Sequence, residues 1–261
     1  MTRTIQQLFN LTGKTALITG GSRGLGLQIA QALGEAGAKV IISSRKASDL
    51  EIASSELIKS GIQSEWIAAN CADENDIRRL ADEALSKTGS IDILVNNAGA
   101  TWGAPAEDHP LEAWDKVMNL NVRGYFLLSQ RIAKVGMIPK GGGKIINIAS
   151  IAGLRGNPIG HNTIAYNTSK GAVINFTQTL AGEWGRYNIN VNAICPGFFP
   201  TKMTKGVLQN MGQAVVDNTP LKRLGDDEDL KGTALLFASD AGKHITGQWI
   251  AVDGGVSAIC G

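Results

Sequence analysis

The sequence predicts a single α/β domain: a parallel, doubly wound sheet of about seven strands with helices on both faces. Three observations carry this expectation. Short apolar runs at 15–19, 39–43, 64–68, 91–95, 144–149, 190–194 and 248–252 alternate with longer helical patterns at 25–36, 49–59, 76–86, 111–134, 165–184 and 227–238. The short runs are apolar on both faces, as strands covered by helices on both sides must be. Gly37, Gly61 and Gly89 each follow a helical pattern, where a residue free to take positive φ stops a helix.

At 261 residues the chain suits one large domain spanning 1–261, and no linker, low-complexity tract or solenoid repeat divides it. The stretch 196–219 contains glycines and apolar residues without a clear period, and is expected to be an irregular substrate lid. The composition excludes several classes of function. A net charge of +2 without a run of Lys and Arg argues against a nucleic-acid partner. Cys71, Cys195 and Cys260 are odd in number and form no CxxC pair, and there are three histidines, so no metal site is expected. Three dispersed thiols suit a reducing compartment. The start of the chain lacks a signal-peptide pattern, and no apolar run reaches membrane-spanning length. The expectation is a cytoplasmic protein without a membrane partner.

The first strand runs directly into Thr19-Gly20-Gly21-Ser22-Arg23-Gly24-Leu25-Gly26 and then a helix. Glycines let the chain turn sharply and let a pyrophosphate approach the backbone, while the helix N-terminus offers unpaired N–H groups. The strand, turn, helix and second strand follow in the order that a Rossmann dinucleotide site requires. A carboxylate at the end of the second strand would hold the 2′-hydroxyl of NAD(H), but this chain has Ser43-Ser44-Arg45-Lys46 there. Arg45, with Arg23 from the turn, could clamp a 2′-phosphate, which favours NADP(H) over NAD(H).

Tyr166 and Lys170 lie four residues apart near the start of a helical pattern and so share one helix face. A phenol titrates near ~10 in water, and a neighbouring cation stabilises its ionised form. The pair is therefore a candidate for acid–base work.

These motifs together resemble the short-chain dehydrogenase/reductase family over nearly the whole chain. The matching segments are 19–26, Asn96-Asn97-Ala98-Gly99, Asn119-Leu120-Asn121-Val122, Ser150 after Ile146-Asn147-Ile148-Ala149, Tyr166 with Lys170, and Pro196-Gly197. The resemblance implies that Tyr166 is the general acid in reduction and the base in oxidation. It implies that Ser150 binds the substrate oxygen, that Lys170 holds the nicotinamide ribose, and that Asn121 fixes a water in a proton relay. By the same resemblance, Gly20, Ser22, Arg23, Gly24, Leu25, Gly26, Arg45, Asn70, Cys71, Asn97, Ala98, Gly99, Tyr166, Lys170, Pro196, Gly197, Phe199 and Thr201 contact the cofactor. Family members commonly form homotetramers through the helices expected at 111–134 and 165–184.

Two departures stand out. The family usually has an aspartate after the third strand, where this chain has Asn70, whose amide oxygen can still accept from the adenine amine. The spacing from Ser150 to Tyr166 is also longer than usual, which places a surplus loop around 157–163, with His161 in it.

Trp102, Ile151, Leu154, Phe198, Phe199 and Met203 are candidates for an apolar substrate pocket. The N-terminal 8–14 and the segment 196–205 resemble gluconate 5-dehydrogenase-like members, and 96–104 resembles β-ketoacyl reductases. The leading expectation is an NADP(H)-dependent ketone or β-ketoacyl reductase acting on a small carbonyl or alcohol. The alternatives are a sugar-acid dehydrogenase and, in another class, a non-catalytic NADP-binding regulator. A regulator would be expected to lose one of Asn121, Ser150, Tyr166 and Lys170, and all four are present.

Overall fold

The computed structural model describes residues 2–157 and 160–259. Its strands are β1 (Thr15–Thr19), β2 (Lys39–Ser44), β3 (Ser64–Ala68), β4 (Ile93–Asn96), β5 (Gly143–Ile148), β6 (Ile189–Pro196) and β7 (Trp249–Val252). Every pairing is parallel, in the order β3-β2-β1-β4-β5-β6-β7. The helices are α1 (Ile5–Phe9), α2 (Gly24–Glu35), α3 (Ala47–Lys59), α4 (Glu74–Thr88), α5 (Leu111–Met118), α6 (Gly124–Ile132), α7 (Ile138–Lys140), α8 (Ile164–Trp184), α9 (Lys205–Asp217) and α10 (Lys231–Ala238).

The two-residue period of each strand sorts the core into two layers. Ala16, Ile18, Val40, Ile42, Ile93, Val95, Ile146 and Ile148 face one side, against Ile29 and Leu33 of α2, Leu50 and Leu57 of α3, and Ala234 and Phe237 of α10. Leu17, Ile41, Leu94 and Ile145 face the other, against Ile77 and Leu80 of α4, Leu128 and Ile132 of α6, and Leu180 of α8. Each fully buried Ile or Leu contributes about 1.5–3 kcal/mol of transfer free energy. The continuous apolar strands of the sequence are thus accounted for, with both faces dry.

Three helical features depart from the expectations. The helix expected at 111–134 continues to 140 through two π-helical turns, Asn119–Arg123 and Ala133–Met137. The second π turn lies just before Pro139. That ring cannot donate to the carbonyl one turn back and would clash with it, so the widened turn relieves both problems. The stretch 196–219 is not irregular throughout, because it contains α9. α1 is an additional short helix, closed by a capping box between Thr4 and Gln7.

The chain winds outward from β1 to β3, then returns and winds the other way from β4 to β7. The loops leaving β1 and β4 therefore part from each other and open a crevice at the C-terminal ends of these strands, where open α/β sheets bind ligands. Among the described residues, no helix is long and apolar enough to cross a membrane.

Candidate active site

The glycine turn lines one side of the crevice. Gly20 and Gly24 take φ of 66° and 53°, which side chains disfavour. A Cβ on Gly20 would lie 2.7 Å from Asn97 Nδ2, and one on Gly26 would run into the Gly20 carbonyl oxygen. The turn is fastened from β4: Asn97 Nδ2 donates to the Thr19 oxygen at 2.8 Å and the Gly20 oxygen at 3.2 Å. Thr19 Oγ1 accepts from the N–H groups of Asn97 and Ala98 at 3.0 and 3.1 Å. The Asn97 amide nitrogen thus holds the turn, a structural role. α2 begins at Gly24 without a side-chain cap and without an acidic residue in its first turn. Its leading N–H groups, beside a cradle that Cβ atoms would fill, fit a pyrophosphate.

Arg23 and Arg45 are exposed near this turn. Arg23 Nη1 lies 3.5 Å from Asp49 Oδ2, so one of the two arginines expected at a 2′-phosphate already faces a carboxylate. Asn70 Oδ1 accepts from the Ala72 N–H at 3.2 Å, which leaves one lone pair for another donor. Cys71 is buried, and burial pushes its thiol up to about 12; burial likewise raises Cys195 to about 11. Neither is a reactive thiolate at neutral pH.

The residues expected to transfer the proton gather on the other side, beyond β5. Ser150 caps the short turn Ile151–Gly153, its Oγ accepting from the Ala152 N–H at 3.1 Å. Gly153 brings that turn onto α8: a Cβ there would sit 2.5 Å from the Lys170 carbonyl carbon and 2.7 Å from the Gly171 nitrogen. This contact sets Ser150 beside Tyr166 and Lys170, and sequence reading did not single it out. Its signal was a glycine three residues after the serine, which turn propensity alone does not distinguish.

Tyr166 lies in the first turn of α8, and Lys170 follows one turn later with 3% of its surface exposed. Lys170 Nζ donates to the Ile148 oxygen at 2.7 Å and lies 5.6 and 5.7 Å from the ring centroids of Tyr166 and Tyr125. Tyr125 Oη donates to the same Ile148 oxygen at 3.3 Å. Two aromatic faces and a carbonyl thus surround the ammonium, while burial lowers its pKa to about 8. With one proton of three in use, two donors remain for a ribose diol. Among the protein's own groups, burial raises the Tyr166 pKa and the Ser150 hydroxyl opposes the rise. The lowering expected from Lys170 is not found among them: the Ser150 hydroxyl is the group that opposes burial.

Asn121 sits in the first π turn, fully buried. Its Oδ1 accepts from the Ala100 N–H at 2.8 Å, and its Nδ2 donates to the Ala100 oxygen and Ser169 Oγ, each at 2.9 Å. Ser169 Oγ in turn donates to the Tyr166 oxygen at 2.7 Å. The Asn121 side chain therefore ties the segment after Gly99 to α8. Gly99 lies close by, an added Cβ being 3.4 Å from Asn121 Oδ1 and 3.8 Å from Lys170 Nζ.

Pro196 closes β6, and Gly197 passes so near Asp253 that a Cβ would meet its Cβ at 2.7 Å. Thr201 and Thr204 bond each other, Thr201 N–H donating to Thr204 Oγ1 at 2.9 Å. A Cβ on Gly24 would be 3.5 Å from Thr201 Cγ2, so this segment lies across the glycine turn. Phe199, expected among the pocket residues, turns its ring into the core against Gly225. It does so because Gly225 leaves the space for a ring. Trp102 and Met203 remain exposed, with Lys116 Nζ 5.8 Å from a Trp102 ring centroid. Within the surplus loop, Pro158 and Ile159 lie outside the described residues.

Comparison with known proteins agrees with this geometry. Residues 20–257 match the family model described as enoyl-(acyl carrier protein) reductase. The chain is 36% identical over 252 residues to gluconate 5-dehydrogenase of Gluconobacter oxydans, covering 96% of this chain and 97% of that protein. It is 38% identical over 252 residues to the rhamnolipids biosynthesis 3-oxoacyl-[acyl-carrier-protein] reductase of Pseudomonas aeruginosa, covering 95% and 97%. The crystal structure of a gluconate 5-dehydrogenase from Burkholderia cenocepacia in complex with NADP and tartrate is similar at a TM-score of 0.93 and 33% identity, over 98% of this chain and 100% of that one. An uncapped helix at a glycine cradle, a buried lysine one turn from a tyrosine, and relatives of nearly full coverage lead to one assignment: this chain belongs to the short-chain dehydrogenase/reductase family of oxidoreductases.

Proposed function

We propose that this protein is an NADP(H)-dependent reductase of ketones, 3-oxoacyl compounds foremost, running reversibly as a secondary-alcohol dehydrogenase. The observation that carries the reading is the joining of Tyr166, Ser150 and Lys170 at the strand ends beside the open N-terminus of α2. Gly20, Ser22, Gly24, Leu25 and Gly26 would hold the pyrophosphate, and Arg45 with Arg23 the 2′-phosphate. Ala98 and Gly99 would flank the adenine-side ribose, with Asn70 and Cys71 near the adenine. Pro196, Gly197, the Phe199 backbone and Thr201 would border the nicotinamide. Bound there, the nicotinamide supplies or accepts the hydride.

The chain's own residues do the rest. Ser150 Oγ–H donates to the substrate oxygen and shares the charge that develops on it. Tyr166 Oη gives its proton to that oxygen in reduction and takes it back in oxidation. Lys170 orients the ribose with its two remaining donors and keeps a positive charge near the phenol. Asn121 keeps the Ala100 segment and the first turn of α8 in register. Residues 196–219, with α9, would cover the substrate. Exposed Trp102 and Met203 give that cleft apolar surface, which favours a 3-oxoacyl chain or simple ketone. Exposed Leu111, Phe126 and Ile164, on α5, α6 and α8, suit self-association into a homotetramer, which light scattering would test.

A sugar-acid dehydrogenase is the second reading, favoured by the similarity to gluconate 5-dehydrogenase. A panel of 3-oxoacyl thioesters, simple ketones and 5-ketogluconate, run with NADPH and NADH, separates the readings. The expected result is turnover of the thioesters and ketones with a higher kcat/KM for NADPH. Activity confined to ketogluconate would reverse the substrate ranking, and a preference for NADH would overturn the cofactor.

A further inference from the structure

We propose that Asn167 is a positioning residue that latches the segments 155–157 and 160–163 to the catalytic helix, and so sets which substrates the cleft accepts. The inference rests on the reductase reading above. Asn167 follows Tyr166 directly, and its side chain is hydrogen-bonded at every position. Nδ2 donates to the Ala152 oxygen and to Asn157 Oδ1, each at 2.9 Å. Oδ1 accepts from Asn157 Nδ2 at 3.0 Å and from Thr163 Oγ1 at 2.9 Å. An amide has two donor protons and two acceptor lone pairs, so this one is saturated.

The two asparagines face each other donor to acceptor in both directions. Only an amide side chain offers both groups in that plane, and Gln is one methylene longer. Asn157 Nδ2 also lies 2.7 Å from the His161 oxygen and 2.7 Å from Thr163 Oγ1, which gathers both flanks of the surplus loop onto one point. The far flank then reaches the segment after β4: the Asn162 oxygen accepts from the Ala104 N–H at 2.9 Å. Gly103 permits the approach, an added Cβ being 3.4 Å from that same oxygen. Trp102, an exposed ring, immediately precedes it.

One amide therefore joins the turn that begins at Ser150, the surplus loop and the helix of Tyr166. Gly153, Ser169 and the Ile148 carbonyl place the reacting groups without it. Removing Asn167 should free the wall and leave the chemistry in place. Substrates large enough to touch that wall lose contact, and small ones do not.

The test compares wild type with Asn167→Ala, Asn157→Ala and the double variant, the second single variant severing the latch from the loop side, away from α8. Steady-state kinetics at saturating NADPH would run from small ketones to long 3-oxoacyl thioesters, alongside hydrogen exchange of peptides covering 152–164 in the free protein. KM for the long substrates is expected to rise about tenfold, as for one or two lost net hydrogen bonds. The kcat should stay within about twofold and the pH profile unchanged, since the transition-state contacts remain. The double variant should be no worse than either single one, and exchange at 152–164 should quicken in all three. Unchanged exchange in the single variants would overturn the latch, and so would a fall in kcat at constant KM. A wild-type chain that reduces none of these ketones, with the exchange difference present, would sink the reductase reading and leave the latch supported.

Discussion

The two ends of the cleft are held by different kinds of contact. At the dinucleotide end the fixing is by backbone and by lack of space: Gly20 and Gly26 have no room for a Cβ, and Asn97 bonds two main-chain carbonyls. At the substrate end it is by side chain to side chain, as in Asn157 with Asn167 or Thr201 with Thr204, on partly exposed segments. The first kind admits almost no substitution. The second can be rearranged residue by residue while the sheet beneath stays the same. Under the proposed function, a fold built this way keeps its cofactor geometry and leaves substrate choice to a few exchangeable bonds.

The largest effect should come where the two ends meet. Tyr166→Phe removes the phenolic proton and keeps the ring beside Lys170. Its kcat should fall by about 10²–10⁴-fold, the usual scale of general-acid catalysis, while NADPH affinity holds. Stopped-flow turnover with fluorescence titration of NADPH measures both, and a variant with near-normal kcat would reject the acid–base role. Next in size is Gly26→Ala, which breaks the dinucleotide end alone. Its methyl meets the Gly20 carbonyl, and such overpacking costs about 1–3 kcal/mol. The turn must shift to admit it, so NADPH Kd should rise about 10- to 100-fold with a lowered Tm. An alanine variant that binds NADPH normally would show that the turn has slack, and the contrast between the ends would weaken.

Lys170 sharpens the comparison through pH. Its pKa is about 8 because burial disfavours the ammonium. Below that pH the charge is present; above it the charge is lost, so kcat/KM for reduction should decline with an alkaline limb near 8. Stability follows the opposite sign. An unfolded lysine titrates near ~10.4, so between about 8 and that value the unfolded chain holds the extra proton. This residue's contribution to stability therefore grows as pH rises through that window. Lys170→Met should abolish activity, raise or maintain Tm at neutral pH, and remove the opposing trend. A flat rate profile to pH 9.5 would contradict the lowered pKa.

The same contrast explains what the sequence disclosed. The strands were legible because a buried parallel sheet needs continuous apolar runs such as Ala16–Leu17–Ile18 and Val40–Ile41–Ile42. The dinucleotide turn was legible because backbone constraint writes itself as glycine. Helix α9 was not, since Gly206 and Gly212 interrupt a segment with few buried side chains, and apolar periodicity is weak there. Nor were the π turns at Asn119–Arg123 and Ala133–Met137, because no residue type marks an i→i+5 turn in advance. Phe199 looked like a pocket residue until Gly225, distant in sequence, left it a place in the core. The Asn157–Asn167 pair was invisible for the same reason: its meaning lies in a reciprocal geometry across a loop, and neither residue type announces it.

The smallest expected effect concerns Arg23, where the dinucleotide end departs from its own rule and uses an exchangeable side chain. Asp49 Oδ2 lies 3.5 Å from Arg23 Nη1, both groups being partly solvated. Ion pairs of that exposure are worth about 0–1 kcal/mol. A 2′-phosphate competing for Arg23 must displace the carboxylate and also meets its repulsion. Asp49→Asn removes the charge and keeps the shape, so NADPH should bind tighter by at most about fivefold, with NADH unchanged. The gain should shrink as salt is raised toward 0.5 M, because these charges are screened. An equal change for NADH would mean that Asp49 acts on the helix beginning at Ala47 and not on the phosphate, and would return Arg23 to the solvated surface.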